Sequence, residues 1–340
     1  MRPDDATRLL PVTGPPVPPA LAVLAGSTAP PDAGRTPPTA YAVPVRPRIL
    51  ALLVAIAAAV ATIAVWRGFV GTHLGQVVEE ITYDGALYGR TRLWTLAEPL
   101  LDVVSVSFVV LGTIVAMGVA LVRRRWSLAA QVAVVMVGSN VSTQLLKNYV
   151  FDRADLGTES WWGNSLPSGH TTVAASVSVA LVLAVPRVAR PVVALLGAAY
   201  TAATGISTLV GQWHRPSDVV AAVCVVLFWG ALACVLTTRS ALDPARPGVT
   251  GGNRYAPRGS GTGWTLTVLG LVAVVCGVVA GWALYQTASV VESAAEVTSR
   301  VELVAYLGGA CAVVAATAMA FALLLALRQA VARATAGVSV

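Results

Sequence analysis

Apolar residues run along this chain in blocks of about 20, the length that crosses a hydrocarbon core, and not in stripes repeating every 3.6 residues. Eight such blocks stand at approximately 49–66, 101–122, 127–146, 171–186, 191–211, 217–237, 264–285 and 303–327. None keeps the polar face that a soluble helix turns to water, so each predicts a spanning helix. The fold class that follows is all-α: a polytopic membrane helix bundle with a six-helix core and two additional transmembrane helices.

The polar intervals set the organisation. Residues 1–47 hold twelve of the twenty prolines and cannot bury enough apolar surface to offset ordering entropy, which predicts a disordered cytoplasmic tail. Its apolar stretch Leu21 to Ala25 is too short for a signal-peptide core, so the first span is expected to act as the insertion signal. The six-span core covers 48–237. Residues 238–263, with Pro244, Pro247 and Pro257, read as a cytoplasmic linker to a two-span extension at 264–328 and a cytoplasmic C-terminal tail at 329–340. Between spans one and two, 68–98 alternates apolar residues with Glu79, Glu80, Asp84, Arg90 and Arg92, which suits a short interfacial helix or a solvated loop.

Composition sharpens this picture. The chain is 56% hydrophobic and 11% charged, far from the roughly 25% charge of soluble domains. A net charge of +7 would suit nucleic acid if the basic residues shared one soluble domain, but they stand between spans and act as topology signals. Arg46 and Arg48 precede span one, Arg123 to Arg125 follow span two, and Arg187 and Arg190 join spans four and five. Arg239, Arg246, Arg254 and Arg258 follow span six, and Arg328 and Arg333 follow span eight. With both termini cytoplasmic, every group lies inside, as the positive-inside rule asks. No nucleic-acid partner is expected. Cys224, Cys234, Cys276 and Cys311 fall in apolar runs without metal-ligand spacing, so they read as packing residues, and neither metal nor cofactor is expected.

That orientation puts the ends of spans three and five and the starts of spans four and six on the outer face. Polar motifs stand at those boundaries. Lys147 closes span three and Arg153 follows it; Pro167, Ser168, Gly169 and His170 open span four; His214, Arg215, Pro216, Ser217 and Asp218 open span six. Pro167 and Pro216 suit the first turn of a helix. Ser168 and Gly169 offer a hydroxyl and approachable backbone N–H groups at a helix N-terminus, an anion site. Asp218, four residues after His214, lies one helical turn away, where its carboxylate can hold Nδ1–H and leave Nε2 as a nucleophile. Lys147 and Arg153 would supply a cationic cradle.

Residues 147–153, 167–170 and 207–218 resemble the three signature motifs of the type 2 phosphatidic acid phosphatase superfamily: Lys, six residues, Arg-Pro; Pro-Ser-Gly-His; Ser-Arg, five residues, His, three residues, Asp. The resemblance covers the six-span core, about 48–237. It implies an integral membrane phosphatase acting on a lipid phosphate or polyprenyl (pyro)phosphate at the outer face of the cell membrane, without metal. His214 would be the nucleophile, Asp218 its partner and His170 the general acid and base; Lys147, Arg153, Ser168 and Gly169 would hold the phosphate oxygens. The chain departs from the pattern at three places. Five residues, not six, separate Lys147 from Arg153; Ala154 stands where the family has Pro; Thr208 stands where it has a phosphate-binding Arg, a role Arg215 is expected to share. A phosphotransferase using the same histidine and a membrane protein with a decayed site are the alternatives.

Overall fold

The computed structural model describes residues 41–42, 44–103, 114–115, 117–118, 122, 125–158, 163–243, 261–333 and 335–336. The expected tail therefore lies outside the described residues up to 40, as do most of the apolar block 101–122 and most of the expected linker.

The architecture is all-α, as the apolar blocks predict. Helix α1 spans Val45–Val65 and ends in a π-helical turn, Trp66–Val70. It starts inside the segment assigned to the tail, with Pro47 tolerated in its first turn, where no intrahelical N–H bond is lost. Then come α2 (His73–Gly85), α3 (Arg90–Val103), α4 (Trp126–Leu145, closing in a second π-turn, Leu146–Val150) and α5 (Gly169–Ala184). The bundle is completed by α6 (Arg190–Val210), α7 (Pro216–Val235), α8 (Thr262–Glu292) and α9 (Ser299–Val331). A two-residue antiparallel bridge pairs Tyr41–Ala42 with Thr335–Ala336.

Six helices among the described residues are long and apolar enough to cross a membrane: Val45–Val70, Trp126–Val150, Arg190–Val210, Pro216–Val235, Thr262–Glu292 and Ser299–Val331. The fourth expected span is the shorter α5, whose 16 residues rise roughly 24 Å. The interval 68–98 is helical rather than a loop. Thr72 caps α2 by accepting from the Gly75 N–H at 3.0 Å, and α2 buries Gln76, Val78, Glu79, Ile81 and Thr82.

Helix α7 is the hub, packed by α1, α4, α5 and α9. Its apolar character all round follows from that position, since a helix surrounded by helices keeps no polar face. The last helix pair joins the same core: α9 packs on α7, α6 and α2, and Phe321, Leu324 and Leu325 share a cluster with Val223, Val226 and Ala198. Two glycines let α7 be approached near its N-terminus. A Cβ on Gly309 of α9 would fall 2.6 Å from Pro216 Cγ, and one on Gly205 of α6 would fall 2.6 Å from Val219 Cγ1.

Arginines that flank the spans gather at one end of the bundle. At the C-terminal end of α7, Arg48 donates to the Val235 and Thr237 carbonyls at 2.9 and 2.8 Å. Arg190 forks onto Asp243 at 2.9 and 2.7 Å, and buried Arg328 donates to the Ala241 carbonyl at 3.4 Å. His214 stands at the other end, about 30 Å away along a 20-residue helix.

Candidate active site

The turn entering α7 is built around one carboxylate oxygen. Pro216 occupies the first helical position and Arg215 the extended cap before it. Asp218 Oδ2 then accepts from the Arg215 backbone N–H at 2.9 Å, from His214 Nδ1 at 3.1 Å and from the Ser165 hydroxyl at 2.6 Å. A carboxylate accepts only, so Nδ1 carries a proton, and in the neutral ring Nε2 is then the nitrogen with the free lone pair. The Asp218 carbonyl accepts from the Ser168 N–H at 2.9 Å, which ties the second motif to the third.

The preceding turn is clamped from both sides. The Thr208 carbonyl accepts from the N–H groups of Trp213 and His214, at 3.0 and 3.3 Å. Gln212 adopts the uncommon left-handed conformation, φ 57°. It is held there by α2 and α3: Tyr83 Oη donates to its carbonyl at 2.9 Å, its amide donates to the Tyr83 carbonyl at 3.0 Å, and Arg90 donates to its side-chain oxygen at 2.9 Å.

His170 lies in the first turn of α5, its ring centre 6.2 Å from that of His214 and 5.4 Å from that of Trp213. Ser168 is the α5 cap, its hydroxyl accepting from the Thr171 N–H at 3.4 Å. Pro167 therefore precedes the cap, in a cis peptide with Leu166, instead of standing in the first helical turn as expected. Around Gly169 the space is open: an added Cβ would meet only Gln144, at 3.9 Å. Lys147 is half-buried in the π-turn that ends α4, and Asn164 donates to the carbonyls of Lys147, Phe151 and Leu166 at 2.9–3.0 Å. Trp66 stacks on Phe151 at 4.9 Å and fixes the start of the loop that carries Arg153.

Arg153 and Arg215 are both buried, 4% and 5% exposed. Arg215 lies 5.9 Å above the Tyr83 ring, packed inside the protein. Thr208 is fully buried and donates to the Gly205 carbonyl at 2.7 Å. Its hydroxyl closes a helical turn; its carbonyl shapes the approach to His214.

Three residues at the site escape the sequence motifs: Glu79, Asn164 and Ser165. Glu79 Oε1 accepts from the Ser217 N–H at 3.2 Å and Oε2 lies 3.6 Å from Arg153 Nη1. Burial first, then the Asp218 charge, push its carboxyl up to about 7, against the opposing Ser217 hydrogen bond and the Arg215 and Arg153 charges. The one sequence signal for it is that Glu79 falls between Val78, Ile81 and Thr82 on the buried face of α2.

Two imidazoles, one held in a defined tautomer, with buried guanidinium groups at one end of a membrane-crossing bundle, define an integral membrane protein equipped to handle an oxyanion. Residues 128–241 match the PAP2 superfamily, the type 2 phosphatidic acid phosphatases that the three motifs resemble. The match runs from α4 to the turn after α7, contains all three motifs and implies phosphatase chemistry on phosphate esters. No curated protein and no solved structure matches the chain.

Proposed function

We propose that the protein hydrolyses a lipid phosphate or polyprenyl (pyro)phosphate through a phosphohistidine on His214. The observation that carries this reading is the 3.1 Å contact from His214 Nδ1 to Asp218, which leaves Nε2 as the nucleophile. In the first step Nε2 forms a bond to phosphorus in line as the ester P–O bond breaks. His170, entering as imidazolium, gives its proton to the departing oxygen. In the second step neutral His170 takes a proton from water, the water oxygen bonds to phosphorus, and the P–N bond breaks to release phosphate and restore both rings. Lys147, Arg153, Arg215, Ser168 and the Gly169 N–H steady the phosphate oxygens, where the developing charge gathers.

A lipid substrate is favoured by a groove of about 410 Å³ between α1, α4 and α7. Its walls, including Ala59, Ile63, Leu145, Val225 and Phe228, are apolar, and its lining reaches Leu146 and Phe151, beside Lys147 and close in sequence to Arg153. A hydrocarbon tail fits such walls. The arginines at the far end of the bundle favour an outward-facing site acting on outer-leaflet lipids.

The test is phosphate release by the purified full chain from phosphatidate, polyprenyl phosphate and polyprenyl pyrophosphate. Turnover is expected to persist in chelator and to stop with vanadate, which adopts the five-coordinate geometry of the transition state. Loss of turnover in chelator, restored by a divalent ion, would overturn the histidine mechanism.

A further inference from the structure

The proposed chemistry leaves one buried acid unused. Glu79 is 2% exposed, lies on α2 outside the three motifs and outside the matched segment, and faces the phosphate cradle. An acidic side chain beside a guanidinium meant for phosphate is a competitor for that guanidinium. Its contacts divide accordingly. Oε1 holds the Ser217 N–H at the start of α7, while Oε2 makes no hydrogen bond and stands 3.6 Å from Arg153 Nη1. That separation is an ion pair too long for a hydrogen bond, a contact that a closer oxyanion displaces readily.

We propose that Glu79 is a positioning residue for the phosphoryl group: it holds Arg153 and the start of α7, and takes up a proton when an oxyanion replaces it on Arg153. This rests on the phosphatase reading above. The charges around it supply the reason. Asp218 faces Glu79 from α7, Arg215 from the turn before α7 and Arg153 from the loop after α4. On its other side α8 and α9 face it across a cavity of about 200 Å³ whose lining carries no charged residue but Glu79 itself. Thr287, the polar residue α8 puts there, spends its hydroxyl on the Ala283 carbonyl. Among the groups that face Glu79, a phosphate dianion would set itself and two carboxylates against Arg153 and Arg215 alone, leaving excess negative charge out of water on this side of the site. Protonating Glu79 removes that excess, and a carboxyl already pushed up to about 7 accepts the proton near neutral pH.

The probe is tungstate, a tetrahedral oxyanion that stays doubly charged across about pH 6 to 9, a window that brackets the Glu79 titration. Its inhibition constant is measured against the purified full chain. For the wild type the constant is expected to rise with pH, by about tenfold per unit for each linked proton above the carboxyl's midpoint. Glu79→Gln should lose one proton's worth of that slope and bind tungstate more tightly at the alkaline end, while Glu79→Asp should keep the slope. Protons linked at other groups are common to all three proteins and cancel in the comparison. The wild type also gives a direct signal that needs no variant: tungstate binding should produce a protonated-carboxyl band in the infrared difference spectrum. Equal slopes for wild type and Glu79→Gln, or, where that variant does not fold, absence of the band, would overturn the role of Glu79 and leave an active phosphatase intact. A wild type that neither releases phosphate from lipids nor binds tungstate would remove the phosphatase reading and this role together.

Discussion

At the scale of single residues, the position that departs most from the family pattern is Thr208. Its hydroxyl is spent inside α6 on the Gly205 carbonyl, so it offers the phosphate no donor. Arg215, buried and in the electrostatic field of Arg153 and Glu79, stands next to the proposed nucleophile. Removing one fixed donor from a dry site costs about 10²–10³ in turnover. Arg215→Ala is expected to show a loss of that order in the native background and a much smaller one beside Thr208→Arg; additive effects in the double-mutant cycle would leave the cradle to Lys147 and Arg153. Glu79 has a second consequence, for stability. Its folded-state carboxyl titrates at about 7, above the ordinary value of 4.5, so the folded state binds the proton more tightly than the unfolded chain does. Its contribution is full below about pH 4.5 and is lost as pH rises through 7. Melting temperatures in detergent should therefore show Glu79→Gln gaining on the wild type between pH 5 and pH 8; a constant difference would mean the carboxyl is not shifted. How much of this was legible in the sequence depended on range. The His214 to Asp218 pairing is an i, i+4 relation and can be read from spacing alone. Glu79 reaches Ser217 across 138 residues and Asn164 reaches three carbonyls through a loop; periodicity places Glu79 on a buried face but names neither residue's partners.

At the scale of elements, the site is the meeting of four helix ends, to which α2 adds Glu79 and Tyr83. The apolar blocks predict the spanning helices well because length and hydropathy are local properties. They place α5 a few residues off, since its start is fixed by the Ser168 cap, and they leave α2 undecided between helix and loop, since its stability comes from packing on α9. That packing is close: Gly309 of α9 leaves room for Pro216 at the first position of α7. Gly309→Val inserts side-chain volume where a Cβ alone would stand 2.6 Å from Pro216 Cγ. It is expected to cost about 1–3 kcal/mol of stability and to lower turnover beyond what the fraction folded explains, because it displaces the turn that holds His214 on Asp218. Turnover falling only in step with folded protein would show that α9 supports the bundle without setting the site.

At the scale of the whole molecule, the bundle has two distinct ends: Arg48, Arg190 and Arg328 gather at the C-terminal end of α7, and the two histidines, with Arg153 and Arg215, at its N-terminal end. In a background without the four native cysteines, single cysteines at exposed Asp155 and exposed Arg239 report the two ends. A membrane-impermeant thiol reagent added to intact cells should label the first and not the second; the reverse pattern would turn the site inward and change the leaflet from which substrate comes. The chemistry itself is tested most directly by rapid quench of the purified full chain with labelled lipid phosphate, followed by mapping of the label on the protein. The expected result is an acid-labile, alkali-stable phosphate on the His214 peptide that appears and decays within a turnover and is absent in His214→Ala. Turnover with phosphate on no residue, or on a residue other than His214, would contradict it.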